Sequence, residues 1–202
     1  SMDGDETDLA ELVRIKKQFS KVMLYVDEAH AIGVRGEQGL GCAEQYGVVD
    51  NIDFLVGTFG KAMASIGGYL ICRSIIRDYL INSLRPLIFS TAQPPICMAW
   101  TDFIFKKVLN LNAQRKHLQQ ISQTIQQAVI SKGFDCPSTS HIVPVIIGES
   151  TKTVEKAKAL QDAGFYIMPV RPPTVPQHSS RLRISLTAQI SDVEIAQLAQ
   201  LL

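Results

Sequence analysis

Two short motifs in this sequence contain residue types that can act together chemically. In Val26-Asp27-Glu28-Ala29-His30, an acid and an imidazole are three residues apart. In Thr58-Phe59-Gly60-Lys61, a lysine follows a hydroxyl group and a glycine, and the glycine allows the backbone to approach a ligand closely. Pyridoxal phosphate requires an acid for its pyridine nitrogen, a partner for its phenolic oxygen and a lysine that bonds to its aldehyde. Together the motifs predict a pyridoxal phosphate site with Asp27, His30 and Lys61.

Each motif taken alone has a simpler interpretation. Asp27 and His30 suit a loop cap with a backbone hydrogen bond, and Lys61 suits a surface lysine in a glycine turn. The string Asp-Glu-Ala-His also occurs in helicases, but that interpretation needs a Gly-x-x-x-x-Gly-Lys-Ser/Thr phosphate loop, which this sequence lacks. The net charge of +1 provides no basic patch, so we expect neither a nucleic acid nor a membrane surface as a partner.

Short apolar runs precede both motifs. Val22–Val26 is continuous and apolar, which is typical of a strand that is buried on both faces of a parallel sheet, and Ile52–Val56 is a second candidate for a buried strand. Ligands of such sheets bind at the carboxyl ends of the strands. Asp27 and Thr58 therefore come at the end of the sheet where a ligand is expected, and Gly68–Cys72 is predicted as a third strand.

Helices and strands alternate along the whole chain, which predicts an α/β fold. We predict helices over 8–19, 74–83, 94–111, 112–131, 151–163 and 191–202. Further strands are predicted over 142–147, 165–170 and 181–186. A boundary near residue 111 divides the chain into two parts.

In their order and spacing, these motifs resemble the α-oxoamine synthases, which are fold-type-I pyridoxal phosphate enzymes. The resemblance also includes the glycine loop Gly36–Gly41 and Phe89-Ser90-Thr91 with Pro94-Pro95. It implies that Lys61 binds the cofactor covalently and moves a proton, that Asp27 holds the pyridine nitrogen and that His30 contacts the phenolic oxygen. It further implies cofactor-binding roles for Thr58, Ser1, Ser90 and Thr91, the last two acting in the neighbouring subunit of a homodimer.

A proline-rich loop indicates one branch of that family. Arg171–Pro176, followed by Arg181-Leu182-Arg183, is most similar to the branch in biotin biosynthesis. This implies condensation of L-alanine with a pimeloyl thioester and loss of CO2, with Arg183 on the amino-acid carboxylate and Thr174 and Arg171 on the substrate side. A member that uses glycine or serine is the alternative. Without the resemblance, the loop is better explained as a stiff connector and one of the arginines as a solvent-facing residue.

The length limits what the resemblance implies. Family members are about twice as long as these 202 residues. We therefore expect 1–111 to be the C-terminal part of the cofactor-binding large domain and 112–202 to be the small α/β domain. An uncovered apolar sheet face is expected, and a non-catalytic half that needs a separate N-terminal half is the alternative function.

The cysteines and the N-terminus bear on localisation. Cysteine pairs with CxxC spacing are absent, and the acidic N-terminus lacks the apolar region of a signal peptide. We expect reduced thiols, no metal site and a cytoplasmic location. The four cysteines are Cys42, Cys72, Cys97 and Cys136.

Overall fold

The computed structural model describes residues 1–202, which divide into two compact units. The first unit is Asp8–Asn112, and the second unit is Ser1–Thr7 together with Ala113–Leu202. Each unit combines helices with a three-stranded sheet, as the α/β pattern predicts. No helix has both the length and the apolar character that crossing a membrane requires.

The first seven residues belong to a different unit from the one predicted for them. The backbone N–H of Thr139 donates to the Gly4 carbonyl at 3.0 Å. Gly4 is also packed so closely that a Cβ there would lie 2.0 Å from the Ile142 carbonyl oxygen. These contacts join the first residues of the chain to the sheet of the second unit. Residues 1–7 therefore belong to the second unit, whereas the prediction placed them in the large domain.

The first unit is built around the sheet β1–β2–β3, in which β1 and β2 are parallel and β2 and β3 are antiparallel. Its strands are β1 (Tyr25–Asp27), β2 (Phe54–Thr58) and β3 (Gly68–Cys72), and its helices are α1 (Leu9–Lys16), α2 (Cys42–Gln45), α3 (Ser74–Ser83), α4 (Arg85–Ile88) and α5 (Pro95–Val108). A short 3-10 helix spans Val49–Asn51.

One face of this sheet carries the core of the first unit. The amphipathic helix α1 buries Leu9 and Val13 in a cluster with Leu24, Ala43 and Leu55. The side chain of Asp8 begins the helix by accepting the Glu11 backbone N–H at 2.9 Å, which satisfies an otherwise unpaired donor.

The strand predicted over 22–26 is shorter and less buried than expected. It begins at Tyr25, and Val22, Met23 and Tyr25 are exposed. The prediction of burial on both faces was wrong because no layer covers the face that carries Tyr25. The third strand and α3 have the predicted bounds.

The second unit has the antiparallel sheet order β4–β6–β5. Its elements are α6 (Asn112–Ser131), which begins at the boundary residue, β4 (Ile142–Gly148), α7 (Ser150–Asp162), β5 (Met168–Val170), β6 (Ser180–Ser185) and α8 (Asp192–Leu201). Helix α7 contacts all three strands. After α6 and α7, Gly133 and Gly164 have φ of +82° and +94°, the left-handed conformation that often follows the end of a helix.

Candidate active site

The first predicted motif lies at the carboxyl end of β1. Asp27 is the last residue of the strand and pairs in register with Val56 of β2. Its Oδ1 accepts the Ala29 backbone N–H at 2.7 Å, and the Asp27 side chain is otherwise exposed. His30 follows in the next turn and is half-buried. The structure therefore presents an open carboxylate at the end of the sheet where the sequence predicts it.

Glu28, between the two predicted residues, has a role that the sequence reasoning missed. Its side chain is buried and accepts the backbone N–H groups of Cys42 and Ala43 at 2.8 and 2.6 Å. These are the first N–H groups of α2, which lack partners within that helix. Glu28 thereby fixes the turn after β1 to the end of the glycine loop. The available sequence signal was the strand alternation, which turns Glu28 away from Asp27.

Two carboxylates make the end of β1 electronegative. Burial, together with the nearby charges of Glu28 and Asp27, raises the pKa of Tyr69 to about 12. The Tyr69 hydroxyl occupies the space beside Gly57, where a Cβ would lie 2.4 Å from the hydroxyl oxygen. A positively charged group at this end of the sheet is therefore favoured electrostatically.

Lys61 lies on a closed loop between β2 and β3. Phe59 N–H donates to the Gly67 carbonyl at 2.9 Å, and Ser65 N–H donates to the Phe59 carbonyl at 2.8 Å. A turn inside the loop is closed by the Ala64 N–H, which donates to the Lys61 carbonyl at 2.9 Å. The Lys61 side chain is exposed. The backbone that carries the amine is thus held at both ends, while the side chain is available.

Thr58 takes part in the same loop. Its hydroxyl donates to the Gly67 carbonyl at 3.2 Å and accepts the Gly60 N–H at 3.1 Å. Because a hydroxyl has one proton, Thr58 must release Gly67 in order to donate to a phosphate oxygen. The sequence could not show this competing hydrogen bond.

Ser90 and Thr91 lie on the exposed segment between α4 and α5. The Ser90 hydroxyl donates to the Pro86 carbonyl. Two residues after Thr91, Gln93 packs so closely on Gly67 that a Cβ there would lie 1.9 Å from its Nε2. The segment therefore runs beside the Lys61 loop.

The remaining predicted residues lie in the second unit. Arg183 donates from Nε to the Met2 carbonyl at 3.0 Å, and Arg181 forms an ion pair with Asp3 at 2.5 Å. Arg181 is buried and Arg183 is half-buried, so neither is simply a solvent-facing arginine. Because Asp3 already engages Arg181, the guanidinium better suited to an external carboxylate is that of Arg183.

Ser1, Arg171 and Thr174 are exposed residues of the second unit. The Ser1 hydroxyl bonds to the Asp5 carboxylate and accepts the Asp3 N–H. Thr174 N–H donates to the Arg171 carbonyl at 3.0 Å, which makes the proline-rich loop a turn. Val175 is buried next to Thr174 and anchors this turn.

The chain resembles known proteins over nearly all of its length. A protein of Haemophilus ducreyi named 8-amino-7-oxononanoate synthase is 53% identical over 199 residues, which cover 96% of this chain and 51% of that protein. The chain spans about half the length of the curated relatives it matches.

Solved structures show the same fold. Sphingomonas wittichii serine palmitoyltransferase matches with a TM-score of 0.92 and 32% identity, over 100% of this chain and 51% of that one. The 8-amino-7-oxononanoate synthase of Francisella tularensis matches with a TM-score of 0.86 and 25% identity, over 98% of this chain and 58% of that one. The family model for class I and II aminotransferases matches residues 1–202. This chain therefore belongs to the class I and II aminotransferase family.

Proposed function

We propose that this chain carries the lysine-bearing part of a pyridoxal phosphate-dependent α-oxoamine synthase that makes 8-amino-7-oxononanoate from L-alanine and a pimeloyl thioester. The observation that carries the proposal is the parallel pairing of β1 with β2, which aligns Asp27 with Val56. Lys61 follows five residues later, so an acid and an amine come from adjacent strand ends. The name of the Haemophilus ducreyi relative supports the choice of product.

The donor set of the first unit fits the cofactor. Asp27 is open at a strand end where two carboxylates favour a cation, and this suits a protonated pyridine nitrogen. The exposed amine of Lys61 suits an aldehyde. Hydroxyl groups for a phosphate come from Thr58, Ser90 and Thr91, and His30 would contact the phenolic oxygen.

Pyridoxal phosphate supplies an electron sink for the carbanion that forms at the amino-acid α-carbon. The chain's own residues would supply proton transfer and binding. Lys61 would hold the cofactor and move the α-proton, and Asp27 would keep the ring nitrogen protonated. Arg183 would bind the amino-acid carboxylate, a task that suits a guanidinium with two parallel N–H donors.

Ser1 would complete the cofactor contacts, and Arg171 and Thr174 would contact the acyl substrate. The same proposal includes a homodimer, in which Ser90 and Thr91 serve the neighbouring subunit's site, and a cytoplasmic location.

The test is a chimera in which this chain replaces the matching half of the Haemophilus ducreyi relative. We expect pyridoxal phosphate to be trapped on Lys61 by borohydride, and Lys61→Ala to abolish trapping while Lys132→Ala, an exposed lysine of the second unit, does not. Absence of trapping on Lys61 would reject the cofactor assignment. A preference for glycine or serine over L-alanine, or for a thioester other than pimeloyl, would reject the proposed product.

A second function is favoured by the uncovered surface of the first unit, where neither α3 nor α4 buries any residue. The chain would then be inactive alone and would need a separate N-terminal half. Mixing the chain with the N-terminal half of the Haemophilus ducreyi relative should restore pyridoxal phosphate trapping. Turnover by the chain alone would refute this alternative.

A further inference from the structure

We propose that Trp100 and Thr101 of α5 are positioning residues for Lys61. The inference rests on the proposed role of Lys61, but the contacts that carry it concern the shape of the loop itself. Two successive residues of the helix bind two successive residues of the loop, Ala64 and Ser65. We call these two contacts the clamp. None of these four residues belongs to the motifs that the sequence singled out.

The first contact joins the indole of Trp100 to the turn that begins at Lys61. Trp100 Nε1 donates to the Ala64 carbonyl at 2.8 Å. Ala64 has a φ of +46°, a left-handed conformation that is costly for a residue with a Cβ. Such a conformation persists when surrounding contacts determine it, and the Trp100 hydrogen bond is one of those contacts.

The second contact is a relay of hydroxyl groups with a defined direction. The Thr101 hydroxyl donates to the Cys97 carbonyl at 2.8 Å and lies 2.7 Å from the Ser65 hydroxyl. Because Thr101 has a single hydroxyl proton, Ser65 must be the donor in the second bond. Thr101 is buried, and removing its hydroxyl would take away the acceptor of the Ser65 hydroxyl.

The loop transmits these contacts to Lys61. Ala64 N–H bonds to the Lys61 carbonyl, and Ser65 N–H bonds to the Phe59 carbonyl, so both clamped residues connect to the backbone that flanks the amine. Met63, between Lys61 and the clamp, is completely buried. Displacement of residues 64 and 65 therefore changes the direction in which the Lys61 side chain leaves the loop.

The exposure of Trp100 argues that its hydrogen bond matters more than its bulk. The side chain is 45% exposed, and its ring packs against that of Phe103 with centroids 5.8 Å apart. A tryptophan that only filled a core would be buried. Here the N–H group is the part that reaches the loop.

The experiment uses the same chimera and variants that remove one hydrogen bond each. Trp100→Phe keeps an aromatic ring without the donor, Thr101→Val keeps the shape without the hydroxyl, and Thr101→Ser restores the hydroxyl. Met98→Ala on the same helix is the matched control, because Met98 is exposed and the hydrogen bonds to the loop come from Trp100 and Thr101. The first measurement is amide hydrogen exchange of residues 60–67.

We expect loop exchange to accelerate about five- to tenfold in Trp100→Phe and Thr101→Val, as for the loss of one hydrogen bond, and to stay at the parent rate in Thr101→Ser and Met98→Ala. Unchanged loop exchange in both Trp100→Phe and Thr101→Val would overturn the proposal. Equal acceleration throughout α5 would also overturn it, because that result indicates general destabilisation.

A second measurement separates positioning from support of the fold. The absorbance of pyridoxal phosphate bound to Lys61 is titrated with pH, and its midpoint should move in Trp100→Phe and Thr101→Val but not in Thr101→Ser or Met98→Ala. An unmoved midpoint together with faster loop exchange would reduce the clamp to a structural role and overturn the proposal. If the parent chimera binds no pyridoxal phosphate, the proposed function fails, and loop exchange still decides whether the clamp exists.

Discussion

The two units of this chain have similar elements but bury their apolar residues to very different extents. In the second unit, β4 begins with four buried residues, and α6, α7 and α8 each bury one side. In the first unit, β1, β3, α3 and α4 have no buried residue. Helix α3 nevertheless contains Ile75, Tyr79 and Ile81, all exposed. Burial is therefore decided by the layer that packs on an element and not by the element's own composition.

The first unit is not uncovered on every side. Helix α1 packs on one face of its sheet through Leu9, Val13 and Leu55. Glu28, the residue after β1, is also buried. The Lys61 loop is also well determined by its hydrogen bonds. Many of the exposed large apolar residues belong to α3, α4, α5 and the outer strands, but Ile66 in the Lys61 loop and Phe89 beside Ser90 are exposed as well. The uncovered surface therefore extends to the candidate site, whose loop is nevertheless fixed by its own hydrogen bonds.

The largest expected effect comes from truncating a side chain in the buried sheet. Leu182 of β6 is completely buried, so Leu182→Ala should cost about 2–5 kcal/mol of unfolding free energy through lost burial and a cavity. Ile96→Ala in α5, where the side chain is 74% exposed, should change it by no more than about 0.5 kcal/mol. Urea unfolding followed by circular dichroism measures both. Leu182→Met is the volume control and should cost less than about 1.5 kcal/mol.

Glu28 provides the next largest effect, within the covered part of the first unit. Glu28→Gln keeps the size but replaces one acceptor oxygen with an NH2 group facing a backbone donor, at a cost of about 1–3 kcal/mol. The amides of Cys42 and Ala43 should exchange faster, because Glu28 is their acceptor. Asp27→Asn is the control, since Asp27 is exposed, and it should leave those two exchange rates unchanged. Equal exchange in both variants would contradict the structural role of Glu28.

The uncovered surface should cause self-association of the chain, and charge should reduce it. Ile75 and Ile96 are 72% and 74% exposed, and burying such a side chain contributes about 1.5 kcal/mol or more. Ile75→Glu and Ile96→Glu should therefore each lower the association constant about tenfold, measured by sedimentation velocity. Val193→Glu places the same charge on α8 at a residue that is 67% exposed and should have little effect. If Val193→Glu lowers the association constant as much, self-association does not depend on the uncovered surface of the first unit.

The order of elements and the position of the candidate site were predictable from local patterns. The bounds of β3 and α3 match the prediction, because glycine and serine mark where each begins. The adjacency of Asp27 and the Lys61 loop followed from two apolar strands that end at the motifs. Parallel pairing aligns such ends, and the register of Asp27 with Val56 shows that β1 and β2 pair in this way.

What could not be predicted depends on partners distant in the sequence. The run Val22–Val26 is as apolar as a buried strand, yet the strand begins at Tyr25, because no layer covers its outer face. The short helices α2 and α4 were not predicted. Glu28 could not be assigned to the N-terminus of α2, fourteen residues away, without the fold. Trp100 is thirty-six residues from Ala64, so no local pattern connects them.

The smallest effect distinguishes two helix caps, one in each unit. Hydrogen bonds from the Ser191 hydroxyl and backbone N–H hold the pKa of Glu194 below its ordinary value of 4.5 in the reciprocal cap of α8. In α1, Asp8 accepts the Glu11 N–H, but the Glu11 carboxylate bonds to Arg14 instead, and that bond lowers the pKa of Glu11. The pKa values of the two glutamates are therefore lowered for different reasons.

Because the folded pKa of Glu194 lies below its unfolded value, its contribution to stability is complete above about pH 4.5 and is lost as the pH falls through the folded pKa. Ser191→Ala should cost about 1 kcal/mol at neutral pH and should raise the pKa of Glu194 toward its ordinary value, which reduces the loss of stability in acid. Asp8→Ala should cost a similar amount but leave the pKa of Glu11 low, since Arg14 remains. NMR titration of the two glutamate side chains, with unfolding measured at neutral and acidic pH, compares the variants. A pKa of Glu194 that stays low in Ser191→Ala would show that the backbone N–H alone sustains it.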